Sequence, residues 1–205
     1  MAFVGGAPLT VTLGVMESNA MNKMPKMRRV AVFGNTGGGK STLARQLANI
    51  TRLPLHALDT IEYKPGGAKV PHDEYLQIHS ELLRGDEWII DGFGSVPSAW
   101  ERFSAADTLI YVDLPLFTHF VWVTKRLVKG LVVTPEGWPE NSPMWSSTLK
   151  SYQVLRLCHE KLTPKYRQLV AEQATHKRVH HLRSASAIKA FVRAVTNEYS
   201  GKRSP

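Results

Sequence analysis

Gly34-Asn35-Thr36-Gly37-Gly38-Gly39-Lys40-Ser41 is the stretch of sequence that decides the fold. It matches the pattern G-x-x-x-x-G-K-[ST], the Walker A loop that holds a polyphosphate. The apolar run at residues 29–33 predicts a buried strand before it, and residues 41–50 predict an amphipathic helix after it. Strand, glycine loop and helix form the setting that supports this motif, with an ordinary glycine-rich turn as the alternative. The sequence therefore predicts a site for a nucleoside triphosphate.

Each position of this phosphate loop (residues 34–41) has a chemical reason. Glycine lets the backbone approach a phosphate closely, and the start of the following helix adds partial positive charge. We expect Lys40 to reach the β- and γ-phosphates, the Ser41 hydroxyl to bind Mg²⁺ and Thr42 to contact the α-phosphate. The remaining cofactor-binding positions contribute mainly backbone groups: Gly34, Asn35, Thr36, Gly37, Gly38 and Gly39.

An acidic residue at the end of a neighbouring strand should complete the Mg²⁺ site. Asp91 follows Trp88-Ile89-Ile90, and Asp113 follows Leu109-Ile110-Tyr111-Val112. The carboxyl ends of parallel strands line the ligand crevice of such a sheet, so both are candidates. Asp91 is favoured as the metal and catalytic acid because Gly92 leaves room for a ligand. Asp113 serves equally well as a cap or turn residue.

A cluster of cations marks a candidate lid. Between residues 114 and 135 the only charged side chains are Lys125, Arg126 and Lys129. They lie at the end of a predicted helix, where a Pro/Gly-rich segment begins. Phosphoryl transfer needs mobile positive charge that closes over the γ-phosphate, so we predict a short lid at about residues 124–146. The alternative is that cations simply favour the C-terminus of a helix.

Two further sets of side chains invite a chemical reading. Asp59 ends the second predicted strand and could position or deprotonate an acceptor hydroxyl, although capping a helix or loop is an equal alternative. His180 and His181 are adjacent on a predicted strand, so they point to opposite faces and do not chelate a metal together easily. Structural or surface roles are therefore favoured for them.

The remaining pattern alternates strands with helices. This alternation predicts an α/β fold with a parallel sheet covered on both faces. Strands are predicted at residues 53–58, 87–92, 108–113 and 178–182, and helices at 71–83, 116–129, 185–199 and in a long segment that ends near 173 with a break at Pro164. We expect one domain at residues 28–199, a disordered extension at 1–27 and a tail at 200–205.

Composition limits the function classes. The net charge of +9 resides at the chain ends, because residues 30–175 carry fifteen basic and fifteen acidic side chains. Binding to nucleic acid would therefore have to use the ends, and merely basic tails are the favoured explanation. The sequence has no run of eighteen apolar residues, which argues against a membrane span. The single cysteine, Cys158, excludes an internal disulfide and is typical of a reducing, cytoplasmic compartment.

Taken together, these segments resemble the adenylate-kinase-like P-loop proteins, and among them the bacterial DNA topology modulation (FlaR-like) proteins. The phosphate loop, residues 88–92 and the Lys125-Arg126 pair carry the general resemblance. Residues 56–59, 64–66, 87–94 and 178–184 carry the resemblance to the FlaR-like proteins. It implies a three-layer, nucleoside-monophosphate-kinase-like fold with five parallel strands in the order 2-3-1-4-5, and the use of ATP with Mg²⁺. It also implies Asp91 as the Mg²⁺-side acid, Arg126 as the lid arginine and Arg183 near the adenine.

One departure from the family concerns the acceptor. Adenylate kinases continue Asp-Gly-Phe with Pro-Arg, whereas this chain reads Asp91-Gly92-Phe93-Gly94-Ser95. The arginine that would grip a monophosphate is missing, which argues against AMP. We therefore predict a phosphotransferase that moves the γ-phosphoryl group of Mg-ATP to an unidentified nucleotide or small-molecule acceptor. The alternative is a nucleotide-dependent regulatory or nucleic-acid-associated ATPase without such an acceptor.

Overall fold

The strand that leads into the phosphate loop, β1 (Arg29–Gly34), lies at the centre of a five-stranded parallel sheet. The computed structural model describes residues 26–64, 68–130 and 144–201. The other strands are β2 (Leu55–Ala57), β3 (Trp88–Asp91), β4 (Thr108–Val112) and β5 (Arg178–Leu182). Their order is β2-β3-β1-β4-β5, and every pairing is parallel. The predicted strand order and fold class are confirmed.

Helices follow the strands, as a parallel sheet requires. They are α1 (Lys40–Thr51), α2 (Leu58–Glu62), α3 (His72–Leu83), α4 (Val96–Ala105), α5 (Leu116–Gly130), α6 (Met144–Lys161), α7 (Thr163–Gln173) and α8 (Ala185–Ser200). The break predicted near Pro164 is confirmed, because α7 begins one residue earlier. The second predicted strand was too long at its end, since residues 58 and 59 belong to α2.

Helix α4 was not predicted, although the sequence at its start carries a local signal. Ser95 caps this helix by accepting a hydrogen bond from the Ser98 N–H, and the Ser98 hydroxyl accepts in turn from the Ser95 N–H. Pro97 follows within the first turn, where a missing N–H costs nothing. A serine replaces the Glu or Gln usual at the third position of such a reciprocal cap, which made the signal easy to overlook.

The sheet separates two apolar cores, because alternate residues of a strand point to opposite faces. Val30 and Val32 of β1 face the core built with α1 and α8, whereas Ala31 and Phe33 face the other. That second core contains an aromatic cluster, in which the Phe33 ring centroid lies 4.3 Å from Phe103 of α4. Helices on both faces of one sheet make the three-layer α/β/α arrangement.

Within the described residues, none of the helices combines the length and apolar character that a membrane span needs. The same part of the chain contains no cluster of three or more His, Cys, Asp or Glu side chains suited to a metal ion.

Candidate functional site

The phosphate loop forms at the carboxyl end of β1, where two neighbouring strands limit its shape. Gly34 has φ +140° and pairs with Val112 of β4, and a Cβ at Gly34 would run into the Val112 carbonyl. Gly39 precedes α1 in the left-handed conformation, with φ 76°. No described side chain caps α1, and its first turn has no acidic residue. The N–H groups at this helix start are therefore available to an anion.

Lys40 and the two hydroxyl residues occupy the start of α1, as the motif predicts. The Lys40 ammonium donates a hydrogen bond to the Asn35 carbonyl at 2.8 Å, so the side chain folds back over the loop. Ser41 and Thr42 are exposed at the same helix end. The structure thus brings a cation and two hydroxyl groups to one edge of the loop.

Asp91 is buried beside this loop with an unused oxygen. It ends β3 opposite Val32 of β1 and Ala57 of β2, and its exposed fraction is 5%. Among the described residues, its Oδ1 atom has no hydrogen-bond partner. Buried polar atoms are nearly always satisfied, so an unpartnered carboxylate oxygen calls for an explanation. A hard divalent cation is a ligand that would satisfy it.

Asp113, the second strand-end acid, is already occupied by protein groups. Arg167 of α7 donates two hydrogen bonds to its carboxylate at 2.8 and 3.0 Å, and His181 Nε2 lies 2.8 Å from Oδ2. Burial on its own would raise the pKa of Asp113, but these hydrogen bonds and charges outweigh it and hold the pKa below its ordinary value. Asp113 therefore ties α7 and β5 to the end of β4.

Helices α5 and α6 both contact the outside of the phosphate loop, and these contacts were not predicted from the sequence. Asn35 Nδ2 donates to the Leu155 carbonyl of α6 at 2.9 Å. His119 of α5 lies with Nδ1 at 2.8 Å from the Thr36 carbonyl oxygen. Both Asn35 and His119 are buried. The helices on either side of the predicted lid therefore both contact the loop.

The predicted lid falls largely outside the described residues. Residues 131–143 and the side chain of Arg126 belong to that part, so the Arg126 prediction is untested. The backbone of residue 126 lies within α5. Lys125, on the same helix, is exposed.

The remaining predicted site residues, Asp59 and Arg183, lie near the ends of two other strands, β2 and β5. Asp59 is an exposed residue in the first turn of α2 rather than the end of a strand. Arg183 is exposed directly after β5, with Nη2 at 3.3 Å from His181 Nδ1. The two adjacent histidines point apart as predicted: His180 packs on Phe191, whereas His181 contacts Asp113.

A cavity of about 270 Å³ opens between α3, the segment that precedes it and the segment after β3. It is lined by Glu62, Lys69, Val70, His72, Tyr75 and Ser95. The Tyr75 hydroxyl lies 2.8 Å from Ser98 Oγ, and a Cβ at Gly94 would collide with that hydroxyl. Polar groups of several types thus surround the cavity.

A fully buried cation, Arg102 of α4, supports this part of the site. Its Nη2 donates to the Gly92 and Phe93 carbonyls at 3.0 and 3.2 Å, and its Nη1 lies 3.4 Å from His79 Nε2. Burial, and then the charge of Arg102, lowers the pKa of His79 to about 4. Nothing in the spacing of the sequence marks Arg102 as buried. It fixes the backbone that immediately follows Asp91.

Comparison with known proteins agrees with this architecture. The chain is similar to shikimate kinase from Acinetobacter baumannii, solved in complex with shikimate, with a TM-score of 0.55 and 16% sequence identity. The similarity covers 87% of this chain and 97% of that enzyme. The chain has the nucleoside-monophosphate-kinase-like fold. No family model matches the sequence, and no curated protein matches it by sequence search.

Proposed function

We propose that the protein is a P-loop kinase that transfers the γ-phosphoryl group of Mg-ATP to a small acceptor. The observation that carries the proposal is the juxtaposition of the phosphate loop with Asp91. This carboxylate is buried one strand away and keeps an oxygen without a described partner. A glycine loop alone supports only phosphate binding, whereas a loop with such an acid supports a metal-bound triphosphate.

The residues at this edge suit both ligands. The loop N–H groups and the start of α1 would hold the phosphates, and Ser41 with Asp91 would hold Mg²⁺. Bound Mg²⁺ would neutralise phosphate charge that develops during transfer. Lys40, which folds over the loop, would add positive charge on the same side. Arg126 and Arg183 keep their proposed roles, at the γ-phosphate and near the adenine.

The acceptor side of the proposal rests on the cavity beside Tyr75 and Ser95. Its volume of about 270 Å³ suits a small metabolite, and the similar kinase was solved with a small molecule, shikimate. Asp59 is proposed to position the acceptor hydroxyl. The narrower resemblance to the DNA topology modulation proteins stays a prediction, as does the single domain at residues 28–199.

The decisive experiment is transfer of radiolabel from γ-labelled ATP to a panel of nucleosides, nucleotides and hydroxy acids. We expect one acceptor to be labelled strongly, and Lys40→Ala to abolish labelling and weaken ATP binding. Lys165→Ala, which removes an exposed lysine of α7, is the matched control and should behave as the wild type. Unchanged turnover in Lys40→Ala would overturn the mechanism.

The same experiment separates the alternative function. Hydrolysis of ATP without label on any acceptor would favour a regulatory ATPase. Binding of DNA that depends on salt and on the basic chain ends would strengthen that reading. Failure of the wild type to bind ATP would overturn both readings.

A further inference from the structure

Helix α5 lies directly against the backbone of the phosphate loop. A Cβ placed on Gly37 would come within 2.5 Å of Val123, and one on Gly39 within 3.1 Å of Trp122. Both neighbours belong to α5, which continues toward the predicted lid. The packing therefore leaves no room for a side chain at Gly37 and would crowd one at Gly39.

Gly38 also lies too close to α5 to carry a side chain without movement of its neighbours. The Walker A pattern leaves its position unspecified, and Gly38 is not among the glycines with positive φ. Neither the motif nor the backbone conformation therefore requires glycine here. A Cβ at Gly38 would lie 2.9 Å from Cε1 of His119, closer than such atoms approach. The His119 ring is the group nearest to that position, and the Asn35 carbonyl oxygen follows at 3.2 Å.

The His119 ring also fixes the orientation of a loop peptide. Its exposed fraction is 1%, and burial lowers its pKa, so the ring is neutral near pH 7. Because the Thr36 carbonyl only accepts hydrogen bonds, the Nδ1 atom at 2.8 Å must carry the proton. In a trans peptide the N–H points opposite to the carbonyl. With the Thr36 carbonyl held toward α5, the Gly37 N–H points away from that helix.

We propose that His119 is a positioning residue of the phosphate loop. Its ring fills the space that Gly38 leaves, and its Nδ1–H holds the Thr36 carbonyl so that the Gly37 N–H stays directed toward the bound phosphates. The part of this inference that concerns phosphates rests on the proposed function. The part that concerns loop order does not.

The first test measures loop order without nucleotide. His119→Phe keeps a ring but removes the donor, whereas His119→Asn keeps a donor near the Nδ1 position. We expect faster amide hydrogen exchange at residues 36–38 in His119→Phe, and exchange close to the wild type in His119→Asn. Equal exchange in all three folded proteins would overturn the inference, whether or not the protein binds ATP.

The second test measures ATP affinity by calorimetry in the presence of Mg²⁺. We expect His119→Phe to bind ATP about tenfold more weakly, the effect of losing one well-placed hydrogen bond, and His119→Asn to stay within about threefold. Unchanged affinity in His119→Phe would overturn the positioning role. If the wild type binds no ATP, the proposed function fails, while the exchange measurement still decides the loop contact.

A double-mutant cycle tests the steric half of the inference. Gly38→Ala should weaken ATP binding about tenfold or more in the wild type, but should add a smaller loss to His119→Ala, where the nearest obstructing group is gone. Gly85→Ala, in a turn after α3, is the control and should have the same effect in both backgrounds. Additive losses for Gly38→Ala and His119→Ala would show that the two residues act independently and would overturn the contact.

Discussion

Two aspartates that look alike in the sequence differ in what they contact. Asp91 ends β3 with an oxygen that no described group satisfies, whereas the Asp113 carboxylate, just after β4, is held by Arg167 and His181. Both are buried to a similar extent, with exposed fractions of 5% and 7%. Burial therefore does not distinguish them. The two aspartates differ instead in their hydrogen-bond partners, and those of Asp113 come from segments far along the chain.

We expect Asp91→Asn to remove the dependence of ATP binding on Mg²⁺ while changing the free energy of unfolding by less than about 1 kcal/mol. Two opposing effects keep the stability change small. The variant relieves an unsatisfied buried carboxylate, but it removes a negative charge that favours the buried Arg102 cation. Calorimetric titration of ATP with and without Mg²⁺, beside urea unfolding, checks both parts.

Asp113→Asn should show the reverse pattern. It breaks charge-assisted hydrogen bonds to Arg167 and His181, so we expect a loss of about 1–3 kcal/mol in the free energy of unfolding. The Mg²⁺ dependence of ATP binding should remain. A stable Asp113→Asn protein that has lost Mg²⁺ dependence would exchange the two roles and contradict the assignment of Asp91.

At the scale of elements, α5 and α6 are the outer supports of the phosphate loop. They flank the predicted lid in the sequence, and each makes a hydrogen bond with the loop. His119 of α5 contacts the Thr36 carbonyl, and the Leu155 carbonyl of α6 accepts a hydrogen bond from Asn35. Trp122 of α5 also packs over Gly39. A ligand in the loop would therefore alter the surroundings of side chains on α5.

This arrangement makes Trp122 a natural reporter of nucleotide binding. We expect ATP with Mg²⁺ to change the tryptophan emission, since charge placed near Gly39 perturbs the adjacent indole. Trp122→Phe should lose most of that change, whereas Trp100→Phe, which alters the aromatic cluster on the other face of the sheet, should retain it. Equal loss in both variants would show that the signal arises elsewhere.

At the scale of the whole molecule, each side of the sheet shields a histidine from water, and His79 is fully buried whereas His180 is half-buried. His79 lies by Tyr75 in one core region, and His180 packs on Phe191 in the other. Burial is the main cause that lowers the pKa of each to about 4, with a neighbouring arginine adding to it. In the unfolded chain both regain the ordinary value of 6.5. The unfolded state therefore binds protons first as the pH falls.

Stability should consequently decrease as the pH falls from about 6.5 toward 4. Within that window each histidine changes the free energy of unfolding by at most about 1.4 kcal/mol per pH unit. Above pH 6.5 it contributes no pH dependence. Urea unfolding at several pH values checks this. His79→Gln and His180→Gln should each flatten the profile, and His176→Gln, which changes an exposed histidine, should not. A profile that is flat in the wild type would contradict the prediction.

The sequence predicts well what short stretches determine. The phosphate loop, β1 and α1 are contiguous in the sequence. The strand order was implied by the family resemblance that rests partly on these segments. Contacts across long separations were not predictable, because no periodicity links Thr36 to His119 or Asn35 to Leu155. The burial of Arg102 was equally hidden, since an arginine on an amphipathic helix ordinarily faces solvent. The phosphate-binding side of the site could therefore be predicted far better than the distant residues that hold it in place.

The central place of β1 also affects how the chain is made. During synthesis the apolar residues 30–33 emerge early, but β1 pairs with β3 and with β4. Its hydrogen bonds on both sides are complete only after residue 112 has left the ribosome. Until then the apolar surface and unpaired edges of β1 are exposed, so the chain can bind chaperones or aggregate. Chains truncated before β4 should therefore be insoluble, even though they contain the whole phosphate loop.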